Sequence, residues 1–271
     1  MLGGMTDRYL HGHHESVLRS HTWRSAENSA AYLLPFLRAG MRVLDVGCGP
    51  ATITVGLAAA VAPGATVGVE PGPEVLDIAR RNATEAGAVE SLTFQQGDVY
   101  RLPFADDSFD VVHAHQVLQH LSDPVAALRE MRRVCVPGGV VAARDADYGA
   151  MTWFPDIVGM QRWQQTYRET AKAGGYYPDA GRMLKSWALE AGFGDVASSG
   201  DVWCYASDEE VAWWSELWAD RVVHSGFADQ AKERGIADEP ALRELRDAWR
   251  EWGSRPDAWF LIPHGEILAR Y

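Results

Sequence analysis

Cysteine is scarce in this chain. Its three cysteines, Cys48, Cys135 and Cys204, lie far apart and fit neither a disulfide framework nor a metal-ligand motif. No apolar run reaches the ~18 residues that a membrane span needs. Positive charge is short as well: 25 Lys and Arg stand against 37 Asp and Glu, a formal net charge of −12. That balance works against non-specific binding to nucleic acid or an anionic membrane surface. Asp7, Arg8, His13, His14 and Glu15 occupy the region where a secretory leader would be apolar. The expectation is a soluble, cytoplasmic protein with no metal, nucleic-acid or membrane partner.

The most informative segment present is Arg42-Val43-Leu44-Asp45-Val46-Gly47-Cys48-Gly49-Pro50. An apolar strand runs into an acidic residue and two glycines, and an alanine-rich helical segment comes next. Glycine lets the backbone turn tightly and lets a ligand approach its N–H groups, while the next helix points its partly positive end at the same spot. Strand patterns recur at 42–46, 66–70, 92–96, 109–113 and 140–144, alternating with helix patterns at 73–86 and from Asp123-Pro124 to Cys135. Pro137-Gly138-Gly139 has the composition of a type II turn leading into the fifth strand. Ala26, Ala30, Leu33 and Leu37 predict one amphipathic helix over 22–38. Alternating strands and helices imply an α/β, doubly wound, mostly parallel sheet with helices on both faces.

Ten of the eleven tryptophans lie beyond residue 145. There the pattern predicts a helix over 180–191, a strand over 195–205, helices from Ser207 (with Glu210 completing a capping box) and over 238–252, and a last strand over 259–262 and 265–269. The expected organisation is an N-terminal helical segment (1–38), a core (39–206, with an inserted cap at 146–179), a helical insertion (207–256) and a final strand (257–271).

A glycine loop alone does not choose a cofactor. The dinucleotide fingerprint G-x-G-x-x-G would need a third glycine where Thr52 stands, and the Walker lysine is missing. Glu70 ends the second strand, where a carboxylate can accept both ribose hydroxyls, and Asp98 with Val99 comes after the third, suited to an adenine. The ordered set Val43–Pro50, Val69-Glu70-Pro71, Gly97-Asp98-Val99, Leu102-Pro103-Phe104, Ser108–Val112 and Pro137-Gly138-Gly139 resembles class I S-adenosylmethionine-dependent methyltransferases. Within them it resembles the ubiquinone/menaquinone-biosynthesis type acting on small molecules. Ala51, where the family often has a further glycine, is a departure.

The resemblance implies a Rossmann-like, seven-stranded sheet with N-terminal lid helices. S-adenosyl-L-methionine would bind, and S-adenosyl-L-homocysteine would leave as product. The Gly47–Gly49 backbone, Cys48 included, would lie against the methionine part, Glu70 would hold the ribose, and Asp98 with Val99 the adenine; Asp45 and Pro71 are further cofactor-binding candidates. The segment after the fourth strand, His115-Gln116-Val117-Leu118, would line the side near the sulfonium. Tyr9, His14, Trp23, Arg24 and Asn28 become lid or pocket residues, with Arg24 placed to meet the cofactor carboxylate. The optional general base falls among His14, His115 and Asp145; Asp145 and Tyr148, the remaining catalytic candidate, suit either orienting a substrate or a solvated turn. His120 reads as structural. The reaction expected is methyl transfer to O, N or C of a small molecule. A nicotinamide-dependent oxidoreductase and a non-catalytic binder of the same cofactor are the alternatives, and the oligomeric state is open, a homodimer included.

Overall fold

In a computed structural model, residues 23–88 and 90–271 are described. Their main feature is an eight-stranded sheet. It is built from β1 (Val43–Val46), β2 (Thr66–Glu70), β3 (Leu92–Gln96), β4 (Phe109–His115), β5 (Cys135–Ala146), β6 (Thr152–Phe154), β7 (Asp195–Tyr205) and β8 (Trp259–Arg270). The order β3-β2-β1-β4-β5 is parallel throughout, and β8 joins antiparallel to β5. β7 pairs with β8 along its length, so β5 and the short β6 share the opposite edge of β8. Seven strands were expected; β6 is the eighth. It lies inside 146–179, where no strand was predicted, and three residues are too few to show an alternating pattern.

Strand neighbours alternate between two apolar cores, as a sheet covered on both faces requires. Val43, Val111, Ala142 and Leu268 face α1 (Ala26–Ser29) and α2 (Thr52–Val61). Leu44, Val112, Ala143 and Ile267 face α4 (Pro124–Val134) and α6 (Leu184–Glu190), while α3 (Pro73–Glu85) links β2 to β3.

The helix predicted over 22–38 is broken. Helix α1 ends at Ser29, and a 3₁₀ turn, Leu34–Phe36, comes after it. Pro35 lacks an N–H and biases the residue before it away from the helical region. Ala26, Ala30, Leu33 and Leu37 are nonetheless all buried. The fifth strand starts earlier than expected, at Cys135, and Pro137-Gly138-Gly139 bulges out of it between the pairs Phe109–Cys135 and Val111–Val140. Gly138 has φ +77°, the left-handed conformation a type II turn wants at that position.

Helices α5 (Val158–Ala173), α7 (Asp208–His224), α8 (Gly226–Glu233) and α9 (Glu239–Gly253) form a separate layer. Its core is aromatic: Trp163, Trp218, Trp249 and Trp252 are fully buried with Tyr167, Phe227 and Phe260. Trp163 packs edge-on against both Trp218 and Trp249 with ring centroids 4.7 Å apart, the geometry aromatic quadrupoles favour.

Candidate cofactor site

Strand order reverses between β1 and β4, and in such sheets ligands bind at the carboxyl ends of the strands flanking that point. A cavity of about 390 Å³ opens there. The loop after β1 contributes Gly47, Cys48 and Gly49; the end of β2 contributes Glu70 and Pro71; the end of β4 contributes His115 and Gln116.

The loop conformation is set by its glycines. Gly47 (φ +66°) and Gly49 (φ +54°) are left-handed, and a Cβ on Gly47 would sit 2.5 Å from Val117 Cγ2. A side chain there would close the gap between the β1 and β4 loops. Ala51, at the N-cap of α2, is also left-handed (φ 65°), so this departure from glycine holds a costlier backbone without putting a side chain into solvent.

Glu70 is buried at the cavity, and burial raises its carboxyl above the usual range; N–H groups of Gly49 and Gly72 oppose that rise, and Asp45 adds to it. Its Oε2 accepts from Gly49 N at 3.2 Å and its Oε1 from Gly72 N at 3.5 Å. The carboxylate thus ties the β1 loop to the β2 end. Asp45 lines the same cavity, but its carboxylate is used within the fold: His113 Nδ1 lies 2.7 Å from Oδ1, and Thr54 Oγ1 donates to Oδ2 at 2.6 Å. Burial pushes the Cys48 thiol well up, so it stays protonated and inert.

His115 is buried, and both of its ring nitrogens lack a hydrogen-bond partner among the described residues. Burial, with Arg24, Arg144 and His264 nearby, pulls its pKa well down, so the ring is neutral. One side of that ring packs on Trp203 (centroids 5.6 Å) and another on His264 (6.2 Å). Arg24 also lines the cavity and donates from Nη2 to Gln116 Oε1 at 2.7 Å.

Other residues singled out from the sequence lie elsewhere. Asp98 and Val99 are not among the cavity-lining residues; Asp98 is not buried, and its Oδ1 accepts from Tyr100 N at 2.9 Å. Asp145 and Tyr148 do not form a solvated turn. Asp145 is fully buried in β5 and accepts from Gln119 N, and Tyr148 stacks on Tyr167 with centroids 4.0 Å apart. The turn reading failed because β5 continues to Ala146 and the helical layer covers Tyr148 beyond it. Trp23 packs on Trp203 and Tyr205, and Asn28 accepts from Trp203 Nε1 through its carbonyl. Tyr9 and His14 lie outside the described residues.

Sequence reasoning placed no role on Thr52 or Leu121, which line the cavity, or on His264 behind it; Val117, expected near the sulfonium, lines it, Leu118 packs in a sheet core instead, and His120, read as structural, lines it too. Thr52, His120 and Leu121 adjoin motifs already recognised, so proximity was their available signal. His264 has no such neighbour, being 148 residues from its partner Gln116.

The cradle fits a nucleoside-bearing cofactor. It joins a loop that excludes side chains at Gly47, a buried carboxylate, and a neutral imidazole on the same lining whose nitrogens have no partner among the described residues. Residues 37–209 match the family described as methyltransferase domain. An uncharacterized methyltransferase of Schizosaccharomyces pombe is 35% identical, covering 97% of this chain and 96% of its own length. A demethylmenaquinone methyltransferase of Staphylococcus epidermidis is 29% identical, covering 58% of this chain and 69% of its own. The YcgJ protein of Bacillus subtilis shares the fold, with a TM-score of 0.57 and 19% identity over 90% of this chain and 98% of that one.

The chain belongs to the methyltransferase-domain family. It is a class I S-adenosylmethionine-dependent methyltransferase of a small-molecule acceptor, with a Rossmann-like sheet. The oxidoreductase and non-catalytic readings gain no support from these matches. Among the described residues no helix is long and apolar enough to cross a membrane.

Proposed function

We propose that the cavity at the ends of β1, β2 and β4 seats S-adenosylmethionine, and that the acceptor meets its methyl group beside His115. The observation that carries this is the convergence of three strand ends on one cavity with the Glu70 carboxylate buried against it. In this reading Glu70 accepts the ribose hydroxyls and the Gly47–Gly49 backbone holds the methionine part. Pro71 packs at the ribose, and Asp98 with Val99, after β3 and outside the cavity's lining, takes the adenine. Arg24 meets the carboxylate.

The cofactor, when bound, supplies a methyl group already activated for in-line displacement. The chain's own residues then have two tasks, to orient the acceptor and to keep water out. His115 suits the first. A neutral imidazole with both nitrogens unmet offers one donor and one acceptor to a hydroxyl, amine or enol. Of the three general-base candidates, His115 alone of those described lines the cavity, so the role falls to it rather than to Asp145; Tyr148, the other catalytic candidate, does not line it either. A cytoplasmic setting belongs to the same reading, supported by three free cysteines.

The test is Glu70→Ala, with S-adenosylhomocysteine affinity measured by calorimetry and folding checked by circular dichroism. Losing hydrogen bonds to a charged acceptor costs about 1.5–3 kcal/mol, so affinity should fall about 10- to 100-fold with the fold retained. Unchanged affinity overturns the assignment.

A further inference from the structure

His264 lies on β8, and its Nδ1 is 3.0 Å from the Ile262 carbonyl oxygen. A carbonyl only accepts, so Nδ1 carries the ring hydrogen. His264 is buried, and burial together with Arg144 and Arg24 holds its pKa well below the ordinary value, so the ring is neutral. Its Nε2 is therefore a lone-pair acceptor.

That Nε2 lies 2.9 Å from Gln116 Nε2. The amide must donate there, which fixes its orientation: the NH₂ faces His264, and Oε1 faces the other way to accept from Arg24 Nη2 at 2.7 Å. Gln116 itself is left-handed (φ 54°), with its N–H donating to the Arg144 carbonyl at 2.7 Å, so its side chain leaves the end of β4 in a defined direction. Trp203 completes the support. The Arg24 guanidinium lies over its ring at 5.5 Å, the ring packs on His264 at 4.4 Å, and its Nε1 is tied to Asn28.

We infer that His264 is a positioning residue for the cofactor site, acting through Gln116 to hold the Arg24 guanidinium where it receives the carboxylate of the bound nucleoside cofactor. The tautomer set by a backbone carbonyl on β8 orients an amide on β4, and the amide orients a cation on the N-terminal segment. Three elements remote in sequence thereby present one preorganised anion site. Arg–carboxylate recognition depends on such geometry, because a guanidinium held in place loses less freedom on binding.

This inference rests on the proposed cofactor seat, so its test uses two ligands. S-adenosylhomocysteine carries the amino-acid carboxylate; 5′-methylthioadenosine keeps the nucleoside and lacks that group. In His264→Phe the ring volume remains and the acceptor is lost. Affinity for S-adenosylhomocysteine should fall about tenfold by calorimetry, while that for 5′-methylthioadenosine stays within twofold. Gln116→Leu should reproduce the split and serves if the first variant folds poorly. In an Arg24→Ala background, His264→Phe should cost nothing further, because the relay acts only through Arg24. Equal loss for both ligands, no loss for either, or full additivity with Arg24→Ala overturns the inference. A wild-type protein that binds neither ligand overturns the cofactor seat itself.

Discussion

Asp145 has no solvent exposure, and one carboxylate oxygen, Oδ2, has no hydrogen-bond partner among the described residues. Burial pushes its pKa up to about 8, against N–H groups of Gln119 and Leu118 and the charge of Arg24, which pull it down. In the unfolded chain a carboxyl loses its proton near pH 4. Between about pH 4 and 8 the unfolded state has therefore released a proton that the folded state retains, so stability falls as pH rises and levels off above 8. The slope is at most about 1.4 kcal/mol per pH unit. Asp145→Asn mimics the protonated acid and keeps an acceptor for Gln119. Its stability relative to wild type should rise by a few kcal/mol from pH 5 to pH 8, read by urea unfolding. A constant difference would mean that the carboxyl is already ionised in the fold. Residues whose place at the cavity is set by their own strand end were legible in the sequence, as Glu70 and Gly47 were. Asp145 was not, because its burial is imposed by elements later in the chain. His264 was not, because its meaning lies in a contact across the sheet.

At the scale of single elements, local capping chemistry was read correctly and continuity was not. Ser207 Oγ accepts from Glu210 N, and Glu210 Oε2 accepts from Ser207 N at 3.0 Å, the reciprocal box expected from the sequence. Asp123 likewise caps α4 through Ala126 N. These bonds span three residues, so spacing alone specifies them. The 22–38 segment shows the opposite case. Its apolar spacing marked the buried face correctly, but Pro35 prevented one helix from supplying it. Periodicity reports which side is buried, and backbone chemistry decides how the chain gets there. Ser207→Ala should therefore destabilise the protein by about 1 kcal/mol in urea unfolding. The affinity for S-adenosylhomocysteine should not change, since α7 contributes no cavity-lining residue.

Across the whole molecule, the sequence shows the aromatic segment as a change of texture after residue 145, which invites division into a core and separate helical pieces. The packing unites them. Strand β8 places Phe260 and Ile262 in the aromatic core and Ile267 and Ala269 in a sheet core, within one run of twelve residues. Trp203 on β7 joins the aromatic core while packing on Trp23, His115 and His264 at the cofactor end. Unfolding the helical layer would thus expose the outer half of β8 and remove the support of Arg24. We expect a single cooperative transition. Tryptophan fluorescence, dominated by the aromatic segment, and far-ultraviolet circular dichroism, reporting the whole chain, should give coincident midpoints. S-adenosylhomocysteine should move both midpoints together, by an amount corresponding to about 2.7 kcal/mol at a hundredfold excess over its Kd. An earlier fluorescence transition that the ligand leaves in place would show that the helical layer opens independently of the cofactor site. In that case β8 would not couple the two cores.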